Sequence, residues 1–312
     1  MKNWKKNAGK FCMAVALAGT LVACGTTSTV PITGRKHSLM VSDEQVLSLS
    51  SQEYTSYMKT AKASTDATNT AMVKRVGQRL ATAVENYLTN NGYANEVKNF
   101  AWEFNLVQDT QVNAFCMPGG KIVVYEGILP VTQTEEGLAV VLGHEIAHAV
   151  AKHSAEQMSK QYRSQIGGEI LGGVISAAGY GSTVAGAAAT TLYGLGSNMA
   201  QLHYSRSNES EADHMGLVFT AMAGYNPESA VAFWQRMASG SQKSTPEFLS
   251  THPSDERRIS DIQKHMPEAL KYYQAAVATS TQNSKSTQKS KSTKKSSSAK
   301  TNNKKTYHFS TK

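Results

Sequence analysis

Residues 138–153, LAVVLGHEIAHAVAKH, limit what this chain can fold into more than any other stretch. They contain His144-Glu145-Ile146-Ala147-His148, an H-E-x-x-H. Two helical residues four apart lie on one face, about one turn apart. Their imidazoles can grip one zinc ion, and Glu145 stands beside it to take a proton from water. Leu138, Val141, Leu142 and Ile146 recur at three- and four-residue spacing, which predicts a buried helix. Thr134, or Thr132 with Glu135, offers its N-cap. The five-residue pattern alone recurs by chance, and a half-buried helix with two hydrogen-bonded histidines has the same letters, so the remaining chain has to decide.

Catalytic zinc commonly takes three protein ligands and keeps one position for water. His153 follows His144 by nine residues, about 2.5 helical turns, so a continuing helix turns it away and leaves it at the surface. Glu156 fails on the same geometry. Glu169 is not excluded by distance but has no supporting pattern around it. The best-placed ligand is Glu209 in SRSNESEADH, residues 205–214. Glu209 and Asp213 are four apart on a predicted second helix. Glu209 can reach the metal while Asp213 accepts the free N–H of a ligand histidine, the support that zinc histidines require.

The start of the chain reads as an export signal. Lys2, Lys5, Lys6 and Lys10 precede an apolar run over residues 11–23, too short for a comfortable membrane span. The sequence LVACG around Cys24 resembles a bacterial lipobox, which implies cleavage before Cys24 and a lipid on it. Of three cysteines, Cys12 leaves with the signal and Cys24 takes lipid, so Cys116 has no disulfide partner and reads as a small buried hydrophobe.

The formal net charge of +9 is carried by the two ends. Setting aside four lysines in residues 1–23 and nine in residues 279–312, the body has 19 basic and 23 acidic residues, a net of −4. No nucleic-acid partner is expected of such a body. Residues 279–312 are rich in Ser, Thr, Lys, Gln and Asn and are expected to be disordered, because they cannot bury enough apolar surface to offset ordering. The expected division is a signal peptide at 1–23, a lipid anchor and tether at 24–37, one domain at 38–278 and a tail at 279–312.

Within the domain, residues 42–58, 69–88 and 227–237 have helical periodicity, and residues 93–107 contain a strand, FAWEFNLV. Asn113, Ala114 and Phe115 lead through Pro118-Gly119-Gly120 into KIVVY, a predicted hairpin. If its strand forms a sheet edge beside the histidine helix, its backbone can hold an extended peptide by strand addition. Residues 170–200 carry no charge but many glycines and hydroxyls, and read as a helical hairpin over the site.

Four blocks in order, NAFCMPGG, HEIAH, SRSNESEAD and THPSDERRI, resemble the zinc metallopeptidases of the CAAX prenyl endopeptidase family, and more closely its soluble Gram-negative lipoprotein and periplasmic branch. The resemblance covers roughly residues 31–273. It implies an α+β, mostly helical zincin-like domain with a small sheet whose edge strand borders the zinc site. It also implies one zinc on His144, His148 and Glu209, Glu145 as general base, Asp213 behind a ligand histidine, and a substrate strand including Asn113, Ala114, Phe115, Gly119 and Gly120. By the same resemblance His252 approaches the metal, either to stabilise an oxyanion or to occupy its fourth position. Arg206, Arg257 and Arg258 are candidates to pair with Asp213 or a carboxylate nearby. The multiple membrane helices of the prenyl-processing members are missing, which argues against a CAAX substrate. The expected protein is a lipid-anchored zinc endopeptidase acting on envelope proteins, placed at the outer membrane and facing the periplasm. Two alternatives stay open: a latent protease working mainly as a chaperone-like binder, and a non-enzymatic lipoprotein acting through its tail.

Overall fold

The histidine helix is the centre of the packing. The computed structural model describes residues 26–176, 202–240, 246–252 and 257–298. The expected signal peptide, Cys24 and most of the Gly-rich hairpin lie outside these residues. Among the described residues no helix is long and apolar enough to cross a membrane.

An antiparallel pair, β1 (Thr26–Thr29) and β2 (Lys36–Leu39), opens the described chain. Helix α1 (Asp43–Thr60) starts from a capping box at Ser42, whose hydroxyl accepts from the Gln45 N–H while the Gln45 side chain accepts from Ser42 N–H. Helix α2 (Ala67–Asn90) buries Val73, Val76, Leu80, Val84 and Leu88 on one stripe. A short turn of helix, α3 (Ala94–Val97), precedes β3 (Glu103–Val107), which takes up the last five residues of the expected strand FAWEFNLV, residues 100–107.

Strands β4 (Ala114–Met117) and β5 (Lys121–Tyr125) form the expected hairpin. Its turn uses Gly119 and Gly120 at φ 87° and 81°, a left-handed conformation that glycine adopts without a Cβ clash. The sheet order is β3-β5-β4, with β3 parallel and β4 antiparallel to β5. Strand β4 is therefore an edge.

After a short helix α4 (Leu129–Thr132), helix α5 (Glu135–Val150) carries the histidine pair. The Thr134 hydroxyl caps it, accepting from Gly137 N–H at 3.1 Å, and Glu135 and Glu136 complement the helix dipole in its first turn. Nearly every residue from Gly137 onward is buried. Helices α6 (His153–Ser176), α7 (Arg206–Met222), α8 (Ser229–Gly240), α9 (Glu247–Thr251) and α10 (Arg258–Ser298) follow.

Helices α5 and α7 cross at a pair of glycines. A Cβ on Gly143 would lie 2.8 Å from the Gly216 carbonyl oxygen, and one on Gly216 would lie 2.7 Å from the His144 nitrogen. Only hydrogen at both positions permits this approach, and it sets the acidic residues of α7 beside His144. Helix α10 continues through Ser298, across a stretch expected to be unstructured. Its Ser/Thr/Lys sequence beyond Pro267 contains neither glycine nor proline to stop a helix, and Val277 is already exposed.

Candidate metal centre

His144 and His148, one turn apart on α5, point their Nε2 atoms at each other at 3.0 Å. Glu209, in the first turn of α7, closes on both: its Oε2 is 3.4 Å from His144 Nε2 and its Oε1 3.4 Å from His148 Nε2. His252, just past α9, brings Nδ1 to 3.3 Å from His144 Nε2 and 3.2 Å from Glu209 Oε1. These four buried residues each offer a ligand atom within 4.8 Å of the others.

The far side of each imidazole is also held. His144 Nδ1–H donates to Asp213 Oδ1 at 2.9 Å. Asp213 in turn accepts from Arg258 Nη2 at 2.7 Å, and the guanidinium lies 3.4 Å from the centre of the Trp234 ring. Arg258, one of the three candidate arginines, thus pairs with Asp213. His148 Nδ1–H donates to His153 Nδ1 at 2.9 Å, and His153 Nε2–H passes the contact to Glu211 Oε2, also at 2.9 Å. Glu211 further accepts from Arg35 Nε at 2.7 Å and from the Thr33 hydroxyl at 2.5 Å. The Tyr204 ring stacks on His148 at 4.1 Å between centroids.

His153 corrects the expectation of a surface histidine: it is fully buried. The helix does not continue through it. Lys152 adopts φ 56°, a left-handed conformation unusual for a side chain with a Cβ, and so breaks α5 from α6. Its ammonium is held 2.8 Å from both Asp43 and Glu96. That break swings His153 back onto His148. Sequence reasoning also missed Glu211, Tyr204 and Arg35; nothing in the spacing of Glu211 from Glu209 distinguishes it from an acidic surface residue.

The donor set fits a divalent cation. With both Nδ1–H groups donated away, two Nε2 lone pairs face each other at a distance suited to ligands about 2.0–2.1 Å from one ion. Without a cation one of them must carry a proton. Burial lowers the pKa of His144, but its bond to Asp213 and the Glu209 carboxylate beside it outweigh that and raise it to about 9. Burial dominates at His148, which is held well below its ordinary value. Glu209 is held well below the usual carboxylate range, because nearby His252 and His148 outweigh its own burial. The buried Glu209 Oε2 and Glu145 Oε1 have no hydrogen-bond partner. A metal would displace the His144 proton and satisfy the carboxylate.

Glu145 stands between this group and the sheet edge. Its Oε2 accepts from the Cys116 backbone N–H of β4 at 3.0 Å, and its Oε1 lies 3.5 Å from His252 Nε2. Burial, reinforced by the Glu209 charge, raises its pKa above the usual range. Asn113, Ala114 and Phe115 lie along this edge. Their side chains are buried, Phe115 against Tyr57 and Tyr125, so the backbone is what β4 can present. Past its end, a small cavity of about 30 Å³ lies among Leu47, Glu96, Phe100, Gly119, His148 and Lys152.

A helix-borne histidine pair with a glutamate from the next crossing helix, and a second glutamate between the pair and a sheet edge, is the constellation of a zincin-type metallopeptidase. The comparisons agree. A model of peptidase family M48 matches residues 68–266, and the chain belongs to that family. It is similar to the mitochondrial metalloendopeptidase OMA1 of Schizosaccharomyces pombe, 37% identical over 175 residues that make up 55% of this chain and 49% of that protein. Human OMA1 is 30% identical over 277 residues, 86% of this chain and 52% of its own length. The beta-barrel assembly-enhancing protease of Escherichia coli is 32% identical over 175 residues, 54% and 35%. The chain thus spans about half or less of the length of these relatives.

Proposed function

We propose that this chain is a zinc-dependent endopeptidase of the bacterial cell envelope, of the soluble rather than the prenyl-processing kind, cleaving misfolded or unassembled envelope proteins. The observation that carries this reading is the convergence of His144, His148 and Glu209 on one point with the free oxygen of Glu145 alongside. Those three residues would hold the metal. When bound, it would polarise the scissile carbonyl and lower the pKa of water toward 7.

The protein groups do the rest. A peptide lies extended along the β4 edge, pairing with its backbone. Glu145, its pKa raised by burial, takes a proton from the attacking water at Oε1 and returns it to the leaving amine. The Cys116 N–H fixes the other oxygen, so the carboxylate does not turn away. Cys24 would carry the lipid that keeps the chain at the membrane, and the relatives named for beta-barrel assembly are the reason for favouring the outer membrane.

His252 supports a second reading. Its Nδ1 stands where a fourth ligand would, which suits a latent enzyme that binds envelope proteins until His252 withdraws. The test is casein cleavage by the full chain beside Glu145→Gln and His252→Ala. Cleavage abolished in Glu145→Gln supports the endopeptidase. A gain in His252→Ala identifies a latch, and a loss there identifies an oxyanion donor. Zinc bound without cleavage in any variant overturns the enzymatic reading in favour of the binder.

A further inference from the structure

One residue beyond Asp213, the chain builds a second cluster of metal-ligating groups. His214 on α7 places Nε2 2.7 Å from Glu268 Oε2 on α10. Its ring stacks on that of His265, with centroids 3.7 Å apart and planes at 18°. His265 and Glu268 are three apart on one helix and so share a face. One ligand atom from each of the three residues lies within 4.8 Å of the others, and all three side chains are half-buried.

We propose that His214, His265 and Glu268 form a second site for a divalent transition metal, one that clips α7 to α10. Two imidazole nitrogens and one carboxylate oxygen are a borderline donor set. They suit Zn²⁺, Co²⁺, Ni²⁺ or Cu²⁺ and disfavour Mg²⁺ and Ca²⁺, which take oxygen ligands. The stacked rings must splay for two lone pairs to converge on one ion.

The site shares no residue with the buried centre. Its ligands come from two helices and tie them together, so its role is structural. Along α10, Arg258, Ile262, His265 and Ala269 follow one another at three- and four-residue spacing, with Ile262 and Ala269 buried. Arg258 holds Asp213, and His265 falls about two turns further along the same helix. An ion there would pin the two helices whose contact supports His144.

The experiment is a zinc titration of the untagged full chain after chelator treatment, with bound metal counted by native mass spectrometry. Co²⁺ substitution reports the ligand field of each equivalent. Two equivalents are expected in the parent chain. The second, weaker one is expected to vanish in the His214→Ala, His265→Ala double variant while the first persists. Glu268→Gln, which keeps the side-chain volume, should weaken the second equivalent at least about tenfold, and it remains decisive if the double variant does not fold. Added zinc beyond one equivalent should raise the melting temperature of the parent but not of Glu268→Gln. A single equivalent in the parent chain, or a second one that Glu268→Gln leaves unchanged, overturns the proposal.

Discussion

The two histidines of α5 are four residues apart and equally buried, yet they are held by different means. His144 leans on a charged carboxylate, Asp213, which a buried arginine, Arg258, holds in turn. His148 leans on a neutral imidazole, His153, and only through it on Glu211. The first arm stays on α7 and α10, within residues 68–266 matched to family M48. The second ends on Thr33 and Arg35, ahead of the matched region. The difference shows in the proton balance: the direct carboxylate raises His144 to about 9, while burial keeps His148 well below its ordinary value. One arm carries charge to the centre and the other carries mainly orientation.

Breaking the charged arm should cost most. Arg258→Met leaves Asp213 buried without its cation, and loss of one partner from a buried pair costs about 3–5 kcal/mol. Urea unfolding should read that loss; a change below about 1 kcal/mol would mean that Asp213 does not depend on Arg258. Next come the groups that touch the histidines directly. Asp213→Ala should reduce zinc affinity about 10- to 100-fold, and His153→Ala should fall at the lower end of that range. Competition with a chromophoric chelator measures both, and a larger loss in His153→Ala would reverse the comparison.

A smaller effect sharpens the neutral arm. Burial raises the Glu211 pKa, but bonds from His153, Arg35 and Thr33 outweigh it and hold the carboxylate at about 2. A carboxylate depressed in the folded state stabilises above its unfolded pKa of 4.5, and that contribution fades as pH falls toward 2. Glu211→Gln should therefore be less stable than the parent at pH 7, with the gap closing between pH 4.5 and 2. A gap constant over that window would show that Glu211 is not depressed. The smallest effect is expected from Arg35→Ala, whose side chain is 34% exposed: about 1 kcal/mol or less, and little change in zinc affinity.

Local chemistry explains which parts of this arrangement were legible in the sequence. The H-E-x-x-H helix, the four-residue step from Glu209 to Asp213 and the Gly119-Gly120 turn each follow from periodicity or from a residue that only certain backbone angles accept. The neutral arm escaped because it hangs on one break in a helix. Lys152 is neither glycine nor asparagine, and what holds it left-handed is Asp43, 109 residues earlier, together with Glu96. The contact of Arg35 with Glu211 spans 176 residues. The close crossing of Gly143 on Gly216 was likewise hidden, since each glycine in a helix reads only as a weak point until its partner is known. The tail was read from composition, which reports what a segment can bury but not whether its backbone continues a preceding helix.

The central claim is that one cation is held by His144, His148 and Glu209. X-ray absorption on the full chain carrying Glu268→Gln, which weakens the second site, and loaded with one equivalent of zinc addresses it directly. Nitrogen and oxygen ligands only, with imidazole scattering at about 2.0–2.1 Å, are expected, and the signal should be lost in Glu209→Gln. A sulfur ligand, or an unchanged spectrum in Glu209→Gln, would contradict the assignment.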